Sequence, residues 1–276
     1  MIDRMLWSRL AVAAGDADAG DLTRLVDSDL YILVGVTGVG KTTALQAVGD
    51  RLELCVLPDR RSVADEVILP AAQALEGESP SPVADRVERF RLTARYRDRH
   101  HGGIAEALAS LAFTGSERRV LFFDGLRGAA ECGWAATHLP RASFVVLEAP
   151  TAIRLQRLLG RRSDFDRAPV ALDVTVAGSL LERVPGLADL LSETELGRVL
   201  AVAQAAGTSS VDVAEKAAII VAEARNYDTG EAISILRSEL AEKRLLVVDT
   251  SDTAPDAVGH CIAKWIRRSR LGAELL

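Results

Sequence analysis

The sequence predicts an α/β fold, a parallel sheet of five strands flanked by helices, and three observations point to it. Five short apolar runs, at 30–34, 52–57, 120–123, 144–147 and 245–248, are separated by stretches of helical periodicity, the alternation from which parallel sheets are built. The first run passes directly into a glycine-rich turn and then an Ala/Leu-rich helical pattern. From Ser163 to about Lys243 every recognisable pattern is helical, which reads as a large lid or insertion rather than part of the sheet.

In chain order, residues 1–26 read as an amphipathic helix broken around Gly15–Gly20, leading into the first strand. The turn after that strand is Gly35-Val36-Thr37-Gly38-Val39-Gly40-Lys41-Thr42-Thr43. Strand, Gly-x-x-x-x-Gly-Lys-Thr and helix together are the phosphate-cradling P-loop in its required context, which places the fold in the P-loop NTPase class. Glycines let backbone N–H groups turn inward around phosphate oxygens, and the helix N-terminus adds partial positive charge. Lys41 is placed to reach the terminal phosphates and Thr42 to hold Mg2+. Chance produces the four fixed positions in roughly one chain in a hundred of this length.

The second strand ends in Pro58-Asp59-Arg60-Arg61, with Ser62 as the expected cap of the next helix. Groups just past the carboxyl ends of parallel strands face the ligand crevice, so Asp59, Arg60 and Arg61 are candidate contacts for a second substrate. A solvated turn accounts for them equally well. After the loop 77–82, Val83 to Arg99 reads as one long helix with an apolar stripe of Val83, Val87, Phe90 and Ala94. Arg86, Arg89 and Arg97 flank that stripe, where guanidinium forks could meet an anionic acceptor; Glu88, Arg91, Arg95 and Arg99 read as a solvated face. Ile104–Phe113 is expected to start another helix.

Val120-Leu121-Phe122-Phe123-Asp124 reads as a buried parallel strand with an acid at its carboxyl end, the position that serves Mg2+ in nucleotide-hydrolysing and kinase folds. Past the fourth strand, Arg154, Arg157 and Arg161 share a helix face at i, i+3 and i+7. The remaining helical segments are expected around 171–181, 195–204, 210–225 and 231–243, before a fifth strand and a last helix through Arg267.

The chain has 276 residues, is 49% hydrophobic and carries a net charge of −6. It can bury a large core, and its acidic balance does not favour nucleic acid as a partner. Cys55, Cys132 and Cys261 are scattered and odd in number, and the four histidines have no ligand spacing, so neither a disulfide framework nor a zinc site is indicated. No secretory leader or membrane span is legible, and the expected location is cytoplasmic.

Asp124-Gly125-Leu126-Arg127, Leu147-Glu148-Ala149-Pro150 and Arg157-Leu158-Leu159-Gly160-Arg161-Arg162 occur in an order that resembles the adenylate-kinase-like branch of P-loop small-molecule kinases. The ending Val248-Asp249-Thr250-Ser251-Asp252-Thr253-Ala254-Pro255 also resembles that family's last strand and loop. The resemblance spans 30–60, 118–167 and 244–268. It implies strand order 2-3-1-4-5, an acceptor-binding insert after strand two and a lid. It also implies Arg157 near the base and sugar of ATP, Arg161 and Arg162 on phosphates, and Arg127 on the acceptor or its phosphate.

The expected organisation is therefore one 1–276 domain with a helical acceptor insert at 60–113 and a helical lid at 163–243. The expected activity is Mg2+–ATP-dependent phosphoryl transfer to a small molecule, a nucleotide or another phosphorylated metabolite. Lys41, Asp124, Arg127, Arg161 and Arg162 would be catalytic. Residues 35–43 and Arg157 would bind nucleotide, and Thr42 with Asp124 would hold the metal. The alternative is an ATPase or nucleotide switch whose 163–243 region binds a protein through a face such as Ile219, Ile220 and Val221.

Overall fold

The computed structural model describes residues 1–12, 22–115, 117–160 and 175–273, with Arg86 and residues 175–178 and 271–273 described for the backbone alone. The strands are β1 Ile2–Arg4, β2 Leu10–Val12, β3 Leu22–Arg24, β4 Leu30–Val34, β5 Leu54–Val56, β6 Leu111–Thr114, β7 Val120–Leu126, β8 Ser143–Glu148 and β9 Leu245–Asp249. Six of them form a parallel sheet in the order β1-β5-β7-β4-β8-β9. That corrects the expected five-stranded sheet and the order stated for it: a sixth strand, β1, is added at the edge beside β5, and the five expected runs keep their relative order 2-3-1-4-5 behind it.

The correction has a physical cause. Ile2 and Met5 have helical spacing, yet the chain is extended there: Met5 is buried and its N–H donates to the Val56 carbonyl at 2.9 Å. A three-residue edge strand carrying Asp3 and Arg4 is short and charged, as exposed edges tend to be. The expected helix over 1–26 is replaced by β1, β2, β3 and two short 3-10 turns, residues 13–21 lying outside the described part. The second half of the expected 104–113 helix is likewise a strand. Helix 104–109 ends at Ser110, and β6 pairs antiparallel with β2 and β3 in a small separate sheet.

The core follows from strand alternation. Leu30, Ile32 and Val34 point to one face of the parallel sheet with Cys55, Leu121, Phe123, Phe144 and Val146. Tyr31 and Leu33 point to the other with Leu54, Val56, Phe122, Val145 and Leu147. Successive strand side chains take opposite faces, so a run that is apolar throughout demands a cover on both sides. On the second face lie α1 (Lys41–Gly49) and the C-terminal helix Pro255–Ala273, packed so closely that a Cβ on Gly259 would lie 2.4 Å from that of Ala47. The first face is covered by α2 (Arg60–Val63), α3 (Leu69–Leu75), α4 (Arg86–Arg97), α5 (Ile104–Ala109), α6 (Ala129–His138) and the later helix Thr229–Glu239.

The helix after β5 starts at Arg60, and Asp59 is its cap, accepting the Ser62 N–H at 2.8 Å. Ser62, expected as the cap, lies inside the helix. Between Arg60–Val63 and Leu69–Leu75 the backbone takes a π-helical turn at Ala64–Ile68, just before Pro70, which has no N–H to donate. The expected helix from Val83 begins later, at Arg86, because Asp85 caps it and accepts the Glu88 N–H at 2.8 Å. Its expected apolar stripe is not its buried face: Val87 and Phe90 are exposed, while Leu92 and Tyr96 are buried.

Beyond α7 (Thr151–Gly160) the described chain is helical: α8 Thr175–Arg183, α9 Glu193–Ala205, α10 Ser210–Asn226 and α11 Thr229–Glu239. Helices α7 to α10 share a hydrophobic cluster of their own, whereas Ala232, Ile233 and Leu236 of α11 belong to the sheet core. Ile220 and Val221 are buried in the first of these, leaving Ile219 exposed beside them. No helix among the described residues is long and apolar enough to cross a membrane.

Candidate active site

The site forms where β4 gives way to α1. Gly35, Gly38 and Gly40 all take positive φ, at 152°, 87° and 93°. Gly40 stands in the left-handed region as the residue before α1, a conformation that side-chain-bearing residues rarely adopt. At Gly38 a Cβ would lie 2.8 Å from the Arg154 carbonyl oxygen and 2.9 Å from the Arg154 Cβ, so the loop and α7 touch backbone to backbone. Gly38→Ala is expected to cost about 1–3 kcal/mol, the scale of a strained backbone position, and to displace α7. A urea titration beside nucleotide-binding measurements checks it; unchanged stability would mean that the loop has room to give.

Lys41, the first residue of α1, turns back over the loop. Its Nζ donates to the Gly35 carbonyl at 2.8 Å and lies 3.9 Å from Asp124 Oδ1. Burial pulls its pKa down, opposed by the Asp124 charge. Asp124 near the carboxyl end of β7 is the mirror case: burial pushes its pKa up, opposed first by Lys41 and then by Arg127. Its Oδ1 is buried and accepts no hydrogen bond among the described residues. An orphaned carboxylate oxygen, with Thr42 an exposed residue one position after Lys41, suits a hard cation that takes oxygen ligands and keeps several waters. The donor set therefore fits Mg2+.

Two cavities bear on the loop, one lined by it and one reached from it through Arg127. One, of about 440 Å³, is lined by Val39, Gly40, Thr43, Arg157, Thr250 and Pro255, among others. Arg157 crosses its floor, donating to Thr250 Oγ1 at 2.9 Å, to the Thr250 carbonyl, and to the Gly38 carbonyl at 3.4 Å. Thr250 in turn donates to the Val39 carbonyl at 2.9 Å, so the end of β9 is tied to the loop.

The second cavity, of about 580 Å³, lies between the helices starting at Arg60 and Arg86 and the segment after β7. It collects Arg60, Arg61, Arg89, Arg97 and Arg127, with Phe90 and Tyr227 as its aromatic walls. The five arginines are not equivalent. Arg60 is committed to Glu131 through bonds of 2.5 and 2.8 Å and to the Gly125 carbonyl at 3.1 Å. Arg89 pairs with Asp65 and donates to the Val83 carbonyl. The Arg61 and Arg97 side chains have no ionic or hydrogen-bond partner among the described residues. The Arg86 side chain lies outside the described part, as do Arg161 and Arg162. Asp59 does not line the cavity; its capping bond from the Ser62 N–H holds its pKa below the usual carboxylate range.

A residue absent from the sequence-based candidates stands at the centre. Glu223 of α10 inserts its carboxylate at the loop mouth, with its side chain 7% exposed. Oε1 accepts from the Thr37 hydroxyl at 2.5 Å and from Arg127 Nη1 at 2.9 Å; Oε2 accepts from the Thr37 N–H and Arg154 Nη2, each at 2.9 Å. Arg154 also donates to the Thr37 carbonyl at 2.9 Å and is buried with that carboxylate. The one sequence signal was a glutamate on the flank of an apolar stripe, three residues past Ile220 in α10.

No family model matches this sequence, and no curated protein matches it. Among solved structures, a shikimate kinase from Acinetobacter baumannii in complex with shikimate is 15% identical, with 88% of this chain and 95% of that one covered at a TM-score of 0.37. An unliganded sugar kinase from a Janibacter species is 14% identical, with 87% and 95% covered at a TM-score of 0.33.

Proposed function

We propose that the protein is a Mg2+–ATP-dependent phosphotransferase acting on a small anionic molecule. The observation that carries this reading is a glycine loop that lines one cavity and is joined through Glu223 and Arg127 to a second cavity of different character. One is walled by the loop, α1 and the end of β9; the other is rich in arginine. Phosphoryl transfer needs little covalent help from a protein; it needs the donor and acceptor held in line and the charge between them neutralised. The 440 Å³ cavity, with Arg157 on its floor, is the proposed seat of the nucleoside, and the loop N–H groups and Lys41 hold its phosphates. Thr42 and Asp124 would hold Mg2+, which supplies charge neutralisation at the phosphates.

In the 580 Å³ cavity Arg61 and Arg97 are the cations left available once Arg60, Arg89 and Arg127 have taken partners. Two guanidinium groups without a partner among the described residues, lining one space, suit a phosphate or carboxylate on the acceptor. Arg161 and Arg162 remain proposed phosphate contacts of the lid. A nucleotide switch with a protein bound at 163–243 is the second reading, for which the exposed Val211 and Ile219 of α10 offer apolar surface.

The test is ATP consumption with and without panels of phosphorylated and carboxylated metabolites. Turnover is expected to be slow alone and to rise by orders of magnitude with the right acceptor. Arg97→Ala should then raise the acceptor KM about tenfold or more, the scale of one lost charged hydrogen bond, with ATP affinity unchanged. Neutral acceptors working as well as anionic ones would overturn the assignment.

A further inference from the structure

Four donors converge on the Glu223 carboxylate, and none of them belongs to α10. Thr37 supplies a backbone N–H and a hydroxyl from the glycine loop; Arg127 comes from the segment after β7 and Arg154 from α7. Two of the four are guanidinium groups, and the ammonium of Lys41 feels the same carboxylate charge. Such a set, loop N–H plus arginines beside a lysine, is the chemistry that suits the oxygens of a terminal phosphoryl group. A carboxylate and a phosphate cannot share it: like charges packed at hydrogen-bond range repel strongly, and each donor has one proton to give in that direction.

We infer that Glu223 is an internal stand-in for the terminal phosphate, displaced from Thr37, Arg127 and Arg154 when a nucleoside triphosphate binds and retained when a diphosphate binds. The inference rests on the nucleotide reading above and adds to it a residue that sets triphosphate-over-diphosphate preference. Displacement has a route to the acceptor side. Tyr227, directly after α10, donates its N–H to the Glu223 carbonyl at 2.8 Å and forms a wall of the arginine-rich cavity. Its ring also lies against Gly128, where a Cβ would stand 3.2 Å from Tyr227 Cδ1. Exchange of the carboxylate for phosphate therefore shifts the end of α10 and the wall of the acceptor cavity together. The same event frees Arg127 and Arg154 to face the transferring group.

A residue that merely positions the two arginines would behave differently. Its loss would loosen the loop and weaken both nucleotides alike. A displaced stand-in competes with the terminal phosphate alone, so weakening it strengthens the triphosphate selectively.

The experiment compares wild type with Glu223→Gln for binding of Mg2+ with a non-hydrolysable ATP analogue and of Mg2+ with ADP. The expected result is an analogue Kd about tenfold lower in the variant, with the ADP Kd moved less than about twofold, a difference of roughly 1.4 kcal/mol between the two ligands. Parallel weakening of both nucleotides, or no change in either, would overturn the inference while leaving the nucleotide reading standing. Binding of neither nucleotide to wild type would overturn both.

Amide hydrogen exchange on the wild-type protein gives a second readout that needs no variant. Exchange across 219–227 is expected to rise with the ATP analogue and not with ADP. Unchanged exchange with the analogue bound would contradict displacement even if the variant fails to fold.

Discussion

Lys41→Ala is expected to leave the protein folded and to cut phosphoryl transfer by about 10²–10³-fold, the scale at which one transition-state donor acts. Folding should survive because Lys41 contributes little to the packed core. It heads α1 over the glycine loop, bonded to the Gly35 carbonyl at 2.8 Å, and its nearest counter-charge is the 3.9 Å contact with Asp124. Burial already disfavours its charge, so a protein with no use for a cation there would gain by an apolar residue. The loss should appear in nucleotide affinity as well as in turnover. A thermal melt paired with a Mg2+–ATP titration checks both; wild-type turnover in a folded variant would remove the loop from the chemistry.

Asp124→Asn should separate stability from activity. The carboxylate is raised in pKa by burial, and its Oδ1 has no donor among the described residues. A carboxyl whose folded pKa lies above its unfolded value costs stability when ionised. That cost is present in full above the folded pKa and disappears as pH falls below the unfolded one. At neutral pH the amide variant should therefore melt no lower than wild type. Turnover should nonetheless fall about 10²-fold, since the charge it would present to Mg2+ matters most as charge develops in transfer. A variant that melts well below wild type would make Asp124 a structural acid instead. An active one would free it of any metal role.

Residues with local signatures were the ones legible in the sequence. Gly35 to Thr42 could be read because strand, loop and helix are contiguous, and Asp124 because it ends an apolar run. The helical nature of α9, α10 and the C-terminal helix was visible in their periodicity. What escaped depends on contacts made at a distance. Residues 2–5 have helical spacing, and only the exposed edge of β5 makes them a strand. Val87 and Phe90 sit where a helix stripe would be buried, but the helix from Arg86 is anchored by Leu92 and Tyr96 and turns Phe90 toward the arginine cavity. Arg60 and Arg61 are adjacent and alike in sequence; the partner that distinguishes them, Glu131, lies 71 residues beyond Arg60. Glu223 is 186 residues from Thr37, and no local pattern could join them.

The most direct measurement follows the phosphate itself. The full chain is incubated with Mg2+ and ATP labelled in its terminal phosphate, together with a deproteinised pool of small anionic metabolites, and the products are separated. Label is expected in a new small molecule, dependent on Lys41 and Arg97. Label recovered solely as inorganic phosphate, with turnover raised by a protein fraction and not by the metabolite pool, would contradict the phosphotransferase reading and establish the nucleotide switch in its place.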